Sequence, residues 1–298
     1  MTKRDITAGI VSYNPDVIRL KENIDACLDQ IDSIIIIDNG SRNIEEIEEL
    51  IAGYNSLIQL YCLGENKGIA YALNELLYYS KAIKKKWLLT LDQDSVLVAG
   101  IVQEYVEIVQ MIDNVAMVSC VINDRSIGMD IEYNNKKGWE YIDQCITSGS
   151  FINIDKMISI DGFDDSMFID YVDFDICKRI ILNDFHIIRV NKIGLLHEVG
   201  RAKNVTRFGT KVIVYNHNPL RIFYQARNRV YYARKYKKFL SFKQKIKMIK
   251  VHFDRILNII MFEENKRRKI DNYFKGLQEG VTCPITEGNY HYHEREIN

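Results

Sequence analysis

Residues 87–95 read Trp87-Leu88-Leu89-Thr90-Leu91-Asp92-Gln93-Asp94-Ser95, an apolar run that stops at two carboxylates two positions apart. A short continuous run without helical spacing predicts a buried strand, and buried strands of this kind belong to parallel sheets covered by helices. The acidic pair then sits where the strand meets solvent. Two carboxylates at i and i+2 on an extended turn can divide the work, one taking a ribose hydroxyl and the other a hard divalent cation with oxygen ligands. A solvated Asp-rich loop is the alternative reading of the same residues.

The pattern repeats on both sides of this stretch. Before it, strand-like Ile6–Tyr13, Ser33–Asp38 and Leu57–Leu63 alternate with amphipathic Asp16–Leu28, Ile44–Ile51 and Gly68–Ile83; after it come helical Ile101–Ile112 and strand-like Val115–Val121. Such βαβα punctuation predicts an α/β fold with a mostly parallel sheet flanked by helices. Ligands of these sheets bind beyond the carboxyl ends of the strands. Polar clusters fall at those ends: Tyr13-Asn14, Asp38-Asn39-Gly40-Ser41 and Asp92-Gln93-Asp94. An irregular polar excursion over Asn123–Tyr141 precedes another apolar run, Cys145–Ile154.

Composition bounds the function. Lys plus Arg and Asp plus Glu both number 40 in 298 residues, so global charge gives no reason to expect nucleic acid as a partner. Six scattered cysteines show neither a Cys-x-x-Cys pair nor zinc-like spacing, as expected of a reduced cytoplasmic chain. The N-terminus lacks the look of a signal peptide and no apolar stretch reaches ~18 residues. From about Leu220 the chain turns aromatic and basic, with Phe239, Phe242, Ile246 and Ile249 at helical spacing among lysines. Domain boundaries follow: a catalytic domain over 1–220, divided near 122–123, and a basic helical appendage over 221–298 with a loose tail ending HYHEREIN.

Several candidates carry two readings each. Asp38-Asn39-Gly40-Ser41 is a ligand loop or simply a turn, and Asn66-Lys67-Gly68 a phosphate or base contact or simply a helix cap. Asp170, Asp173 and Asp175 open a helix that runs to Leu182. Carboxylates in a first turn stabilise the helix dipole by ~0.3–1 kcal/mol each, while one held beside a sugar could act as a general base. His197 follows a strand-like run; it is a structural histidine or, with Asp94, part of a mixed N/O site for Mn²⁺ or a similar ion.

Taken in order, Val11-Ser12-Tyr13-Asn14, Asp38-Asn39-Gly40-Ser41, Asn66-Lys67-Gly68, Asp92-Gln93-Asp94, Gly149-Ser150, Asp161-Gly162-Phe163-Asp164, Asp173-Phe174-Asp175 and His197-Glu198-Val199-Gly200 resemble the inverting family-2 glycosyltransferases of GT-A fold. Leu91-Asp92-Gln93-Asp94-Ser95, Phe168-Ile169-Asp170-Tyr171-Val172-Asp173 and Tyr224-Gln225-Ala226-Arg227-Asn228-Arg229 narrow the likeness to rhamnosyltransferases of bacterial surface polysaccharide assembly. The resemblance spans roughly residues 5–235. It implies a GT-A, Rossmann-like fold and transfer of a sugar, rhamnose from dTDP-rhamnose, from a nucleotide diphosphate donor to a saccharide or lipid-linked acceptor. It further implies donor contacts at Ser12, Tyr13, Asn14, Asp38, Asn66 and Asp92. Asp94 and His197 become ligands of a divalent cation, Mn²⁺ or Mg²⁺, and Asp173 the catalytic base. Gly149, Ser150 and a supporting Asp170 fall beside the donor sugar and acceptor. The family's usual Glu-Asp before the catalytic helix is Val172-Asp173 here, a departure.

Two other classes remain open on residues alone: a non-catalytic nucleotide-sugar binding protein, and a nucleotidyltransferase. The latter is expected to carry a Gly-rich basic phosphate loop near the first strand, and Ile10–Pro15 offers none. The basic tail is either a solvated face packed on the enzyme or a peripheral contact with the inner face of an anionic cell membrane.

Overall fold

The computed structural model describes residues 3–124, 138–197, 203–207, 209–286 and 288. Most of the polar excursion, residues 198–202 and the terminal HYHEREIN stretch lie outside them. The chain divides into two compact units, one of Met1–Ser166, Val172–Glu198 and Glu287–Asn298, the other of Met167–Tyr171 and Val199–Thr286. Among the described residues no helix is long and apolar enough to cross a membrane.

The first unit is built on strands β1 (Ile6–Ser12), β2 (Ile34–Asp38), β3 (Ile58–Cys62), β4 (Trp87–Asp92), β5 (Val96–Leu97), β6 (Val115–Asp124), β7 (Trp139–Tyr141), β8 (Ser150–Asn153) and β9 (His186–His197). Its helices are α1 (Val17–Leu28), α2 (Ile44–Ala52), α3 (Ile69–Ala82), α4 (Ile101–Met111), α5 (Ile154–Ser159) and α6 (Val172–Leu182). Among the described residues the sheet runs β3-β2-β1-β4-β8-β6-β9-β5, with β7 paired to β9. β3, β2, β1 and β4 are mutually parallel, as are β6 and β9. β8 enters antiparallel between β4 and β6.

Every residue of β1 and β2 is buried, the expected result for strands covered on both faces. Ile6, Ala8 and Ile10 join one cluster with Leu20 and Ile24 of α1, Ile47 and Ile51 of α2, and Ile101 and Tyr105 of α4. Each fully buried Leu or Ile in such a cluster stabilises the fold by roughly 1.5–3 kcal/mol. Gly9 faces the opposite way: a Cβ there would lie 2.8 Å from Leu88 and 2.9 Å from Leu76 of α3, so only hydrogen fits between strand and helix. α1 begins where Asp16 accepts the backbone N–H groups of Ile18 (2.9 Å) and Arg19 (3.2 Å), capping its first turn.

The alternation read from sequence matches these elements to within one residue through α4, and β6 runs three residues beyond the expected Val115–Val121. Three other features depart from it. The two-residue β5 is too short to leave a pattern, and β7 forms inside the polar excursion by pairing Trp139, Glu140 and Tyr141 with β9. The Cys145–Ile154 run supplies a strand only over Ser150–Asn153, because residues 147–149 turn to bond the end of β4.

The second unit contains a hairpin, β10 (Lys203–Arg207) with β11 (Thr210–Val214), and helices α7 (Pro219–Lys235), α8 (Phe242–Phe262) and α9 (Lys266–Thr282). Gly276 and Gly280, four apart on α9, bring its backbone against α7. A Cβ on Gly276 would stand 2.2 Å from the Phe223 carbonyl oxygen, and one on Gly280 2.6 Å from that of Arg227. Ile222, Ala226, Ile259 and Tyr273 form the apolar centre. Beside it Glu263, fully buried, accepts from Lys269 (2.7 Å) and Arg255 (2.5 Å). α8 starts with a reciprocal cap between Ser241 and Gln244, so Phe239, grouped with the helix by spacing, lies in the turn before it.

Candidate functional site

The carboxyl ends of β1, β2 and β4 lie side by side, with Ser12 paired to Asp38 and Val11 to Asp92 in register. At β2, Asp38 is only 2% exposed. One of its oxygens accepts from the Ser12 hydroxyl (3.2 Å), and the other from the N–H groups of Gly40 (3.1 Å) and Ser41 (2.9 Å). The turn reading of residues 38–41 is therefore realised in full. Gly40 has φ +83°, and a Cβ on it would lie 2.6 Å from backbone of Glu65, so the 38–41 turn nests against the segment before α3. There Asn66 accepts from the Asn39 amide (3.2 Å) and from Gly68 N–H (3.0 Å), while Asn39 accepts from Lys67 N–H (2.8 Å). Asn14, at φ +47°, donates its N–H to Ser41 (2.8 Å) and accepts from Arg42 N–H (2.9 Å). Tyr13 is 45% exposed at this edge.

At β4 the acidic turn is held by its backbone. The Asp92 N–H donates to the Ser148 hydroxyl (3.0 Å), and the Asp92 carbonyl accepts from the Asn23 amide (2.7 Å) and Ser95 N–H (3.2 Å). Gln93 accepts from Tyr13 N–H (2.7 Å), tying this turn to the first loop. Gln93 and Asp94, with Asp16 and Arg19 of the first helix turn, line an open cleft of about 340 Å³.

His197 ends β9. Val96, the first residue of β5, pairs with Leu196, the residue before His197, in antiparallel register. The His197 side chain lies outside the described residues, and among those described no three His, Cys, Asp or Glu side chains converge as metal ligands.

Residues 147–150 join β4 to α6. The Thr90 hydroxyl donates to the carbonyls of Thr147 (2.6 Å) and Ser150 (3.1 Å), and Gly149 N–H donates to the Thr90 carbonyl (2.8 Å). Gly149 adopts φ +77°, a Cβ on it would lie 3.0 Å from the Leu195 side chain, and its carbonyl accepts from the Tyr105 hydroxyl (2.8 Å). Ser150 is fully buried and donates to the Ile146 carbonyl (2.6 Å). The Thr147 hydroxyl donates to Asp173 (3.3 Å), the second residue of α6. Asp175 is instead 1% exposed and paired with Arg179 (2.8 Å). Asp170 belongs to the second unit, where Arg221 grips both its oxygens (3.1 and 3.2 Å).

Thr90, Thr147, Ser148, Gln93 and Arg19 are thus part of this edge although nothing in the sequence singled them out. Isolated hydroxyls and amides leave no spacing signature. Only the position of Gln93 within Asp92-Gln93-Asp94, and of Ser148 next to Gly149, could have pointed to them.

Near the start of α3, burial pushes the Asp165 carboxyl up to about 7. The Asn74 amide at 2.6 Å opposes this, and the charges of Asp164 and Glu75 add to it. The folded chain holds this proton more tightly than the unfolded one, so the associated stability is present below the ordinary value of 3.8 and is lost as pH rises toward 7. Asp165→Asn is expected to melt higher than the parent near pH ~8, the gap closing near pH ~4, in paired thermal scans. A gap independent of pH would mean that Asp165 titrates normally.

A sequence profile of the family described as Glycosyl transferase family 2 matches residues 7–162, more than half of the chain. The dTDP-rhamnosyl transferase RfbF of Shigella flexneri is 26% identical over 248 residues, covering 78% of this chain and 80% of that protein. Among solved structures, GalNAc-T7 with UDP, GalNAc and Mn²⁺ superposes with a TM-score of 0.56 at 14% identity over 68% of this chain, which spans only 44% of that longer one. The mannosyltransferase PcManGT of Pyrobaculum calidifontis, in complex with GDP-Man and Mn²⁺, gives 0.58 at 14% identity, covering 93% of this chain and 84% of the other. At such identities the likeness is one of fold, and the fold is the GT-A type.

Proposed function

From the premise that the chain belongs to glycosyl transferase family 2, we propose that it moves rhamnose from dTDP-rhamnose onto a hydroxyl of a saccharide or lipid-linked saccharide, with inversion, in bacterial polysaccharide assembly. That it is a glycosyltransferase follows from the family. The sugar and nucleotide are supported by the likeness to RfbF, and a nucleotide-sugar donor by the ligands of the neighbours that share the fold.

The observation that carries the reading is a single short loop: Ser148 holds the backbone of Asp92 while the adjacent Thr147 holds the carboxylate of Asp173. Donor-side and base-side acids are thereby fixed to consecutive residues. In this reading Asp92 accepts a ribose hydroxyl, and the 12–14, 38–41 and 66–68 loops frame the base. Asp94 and His197 hold a divalent cation, Mn²⁺ or Mg²⁺, which when bound supplies Lewis-acid stabilisation of charge growing on the leaving diphosphate. Asp173 takes the proton of the acceptor hydroxyl as it attacks the anomeric carbon from the side opposite the diphosphate. The Thr147 hydroxyl occupies one Asp173 oxygen and orients the other. A single displacement of this kind inverts the anomeric centre.

The test is to incubate the chain with dTDP-rhamnose, UDP-GlcNAc or GDP-mannose and Mn²⁺ or Mg²⁺, and to identify the released nucleotide. Release of dTDP from dTDP-rhamnose, well above release from the other two donors, is the expected result. Preference for another donor would overturn the sugar assignment, and formation of dTTP and rhamnose 1-phosphate when pyrophosphate is added to dTDP-rhamnose would indicate a nucleotidyltransferase.

A further inference from the structure

Helix α8 is unusual in what it leaves uncovered. Of its 21 residues only Ile259 is buried, and its first three turns stand in solvent. Phe242 is 77% exposed, Ile246 51%, Ile249 70% and Phe253 63%. They recur at i, i+4, i+7 and i+11, which at 3.6 residues per turn places all four within about 60° of one another. Lys245 flanks this stripe on one side and Lys250 and Lys243 on the other, about 60–100° away. All three lysines are exposed, as are Lys237, Lys238 and Lys247. From Lys235 to Phe253 the sequence contains seven lysines and no Asp or Glu. The first acid, Asp254, is already paired with Arg207 (2.6 Å).

We propose that this half of α8 lies in the plane of an anionic lipid surface, with Phe242, Ile246, Ile249 and Phe253 among the acyl chains and the flanking lysines on lipid phosphates. An apolar stripe bordered by cations is the chemistry of an interfacial helix. A second copy of the chain is a poor occupant, because it would bring the same exposed lysines against these. Nucleic acid would meet the lysines but leave the four large apolar side chains in water. The proposal rests on α8 alone and stands or falls separately from the donor and the reaction.

The full chain is to be sedimented with vesicles of equimolar phosphatidylglycerol and phosphatidylcholine, and with phosphatidylcholine vesicles, at low and high salt. Two variants are compared, Lys243, Lys245, Lys247 and Lys250 all changed to Gln, and Phe242, Ile246, Ile249 and Phe253 all changed to Ser; thermal scans establish that both remain folded. Binding is expected only to the anionic vesicles. It should fall at least about 10²-fold in the lysine variant at low salt, since each lysine near such a surface contributes about fivefold. The Ser variant should fall to background at either salt. Absence of binding by the parent, equal binding to neutral vesicles, or undiminished binding by the Ser variant would overturn the proposal. So would a parent that self-associates through the stripe while the Ser variant still binds lipid.

Discussion

Asp173→Asn is expected to lower turnover by about 10²–10⁴ while leaving donor affinity nearly unchanged, the range that a positioned general base contributes. The amide keeps the size of the carboxylate and can still accept the Thr147 hydroxyl, so helix α6 and the 147–150 loop should remain as they are. What it cannot do is take a proton. Steady-state kinetics with varied donor and saturating acceptor would show the loss in kcat alone, the pattern of an interaction made in the transition state. Near-normal turnover would remove Asp173 as the base. Asp175 is a poor substitute, because its carboxylate is buried against Arg179, which leaves Asp170 as the next residue to test.

Asp94→Ala is the second large effect. In the proposed reading it removes the only described side chain that holds the cation, and the loss of several kcal/mol of charge stabilisation corresponds to a drop in kcat/KM of about 10³. Donor binding should lose its dependence on Mn²⁺ or Mg²⁺ at the same time. Calorimetric titration of the donor with and without metal, beside the kinetics, separates this outcome from a general loss of fold. A folded variant that keeps both turnover and metal dependence would sink the assignment. Asp16 and Arg19, which line the same cleft, would then be the residues to examine.

The fold was largely legible because its central strands are uninterrupted apolar runs. Ile34–Ile37 and Trp87–Leu91 cannot be amphipathic helices, and the run Ile6–Ser12 is followed by a helix with a recognisable start at Asp16. Direction was not legible: nothing local to Ser150–Asn153 says that it runs against β4, since that depends on where the chain emerges after a long excursion. β5 and β7 exist only because β9 offers them partners. At the site, position after a strand is what pointed to Asp38, Asp92 and Asp94, and position before a helix is what pointed to Asn66. The hydroxyls that hold this edge left no such sign, because Thr90, Thr147 and Ser148 act through hydrogen bonds whose partners are 26 to 60 residues away. Asp170, Asp173 and Asp175 looked equivalent in sequence, and packing separates them: Arg221 takes the first, Thr147 the second and Arg179 the third.

The way Asp38 spends its oxygens bears on how a ligand meets this edge. Its three accepted hydrogen bonds, with those of Asn14, Asn39 and Asn66, close the loops upon one another. In the proposed reading a nucleotide meeting these three loops finds their described side chains already held, and so avoids the ~0.5–1.5 kcal/mol that ordering each flexible side chain costs on association. Selectivity between bases then becomes a matter of fixed shape, because a ring that fits poorly cannot draw a different loop arrangement around itself.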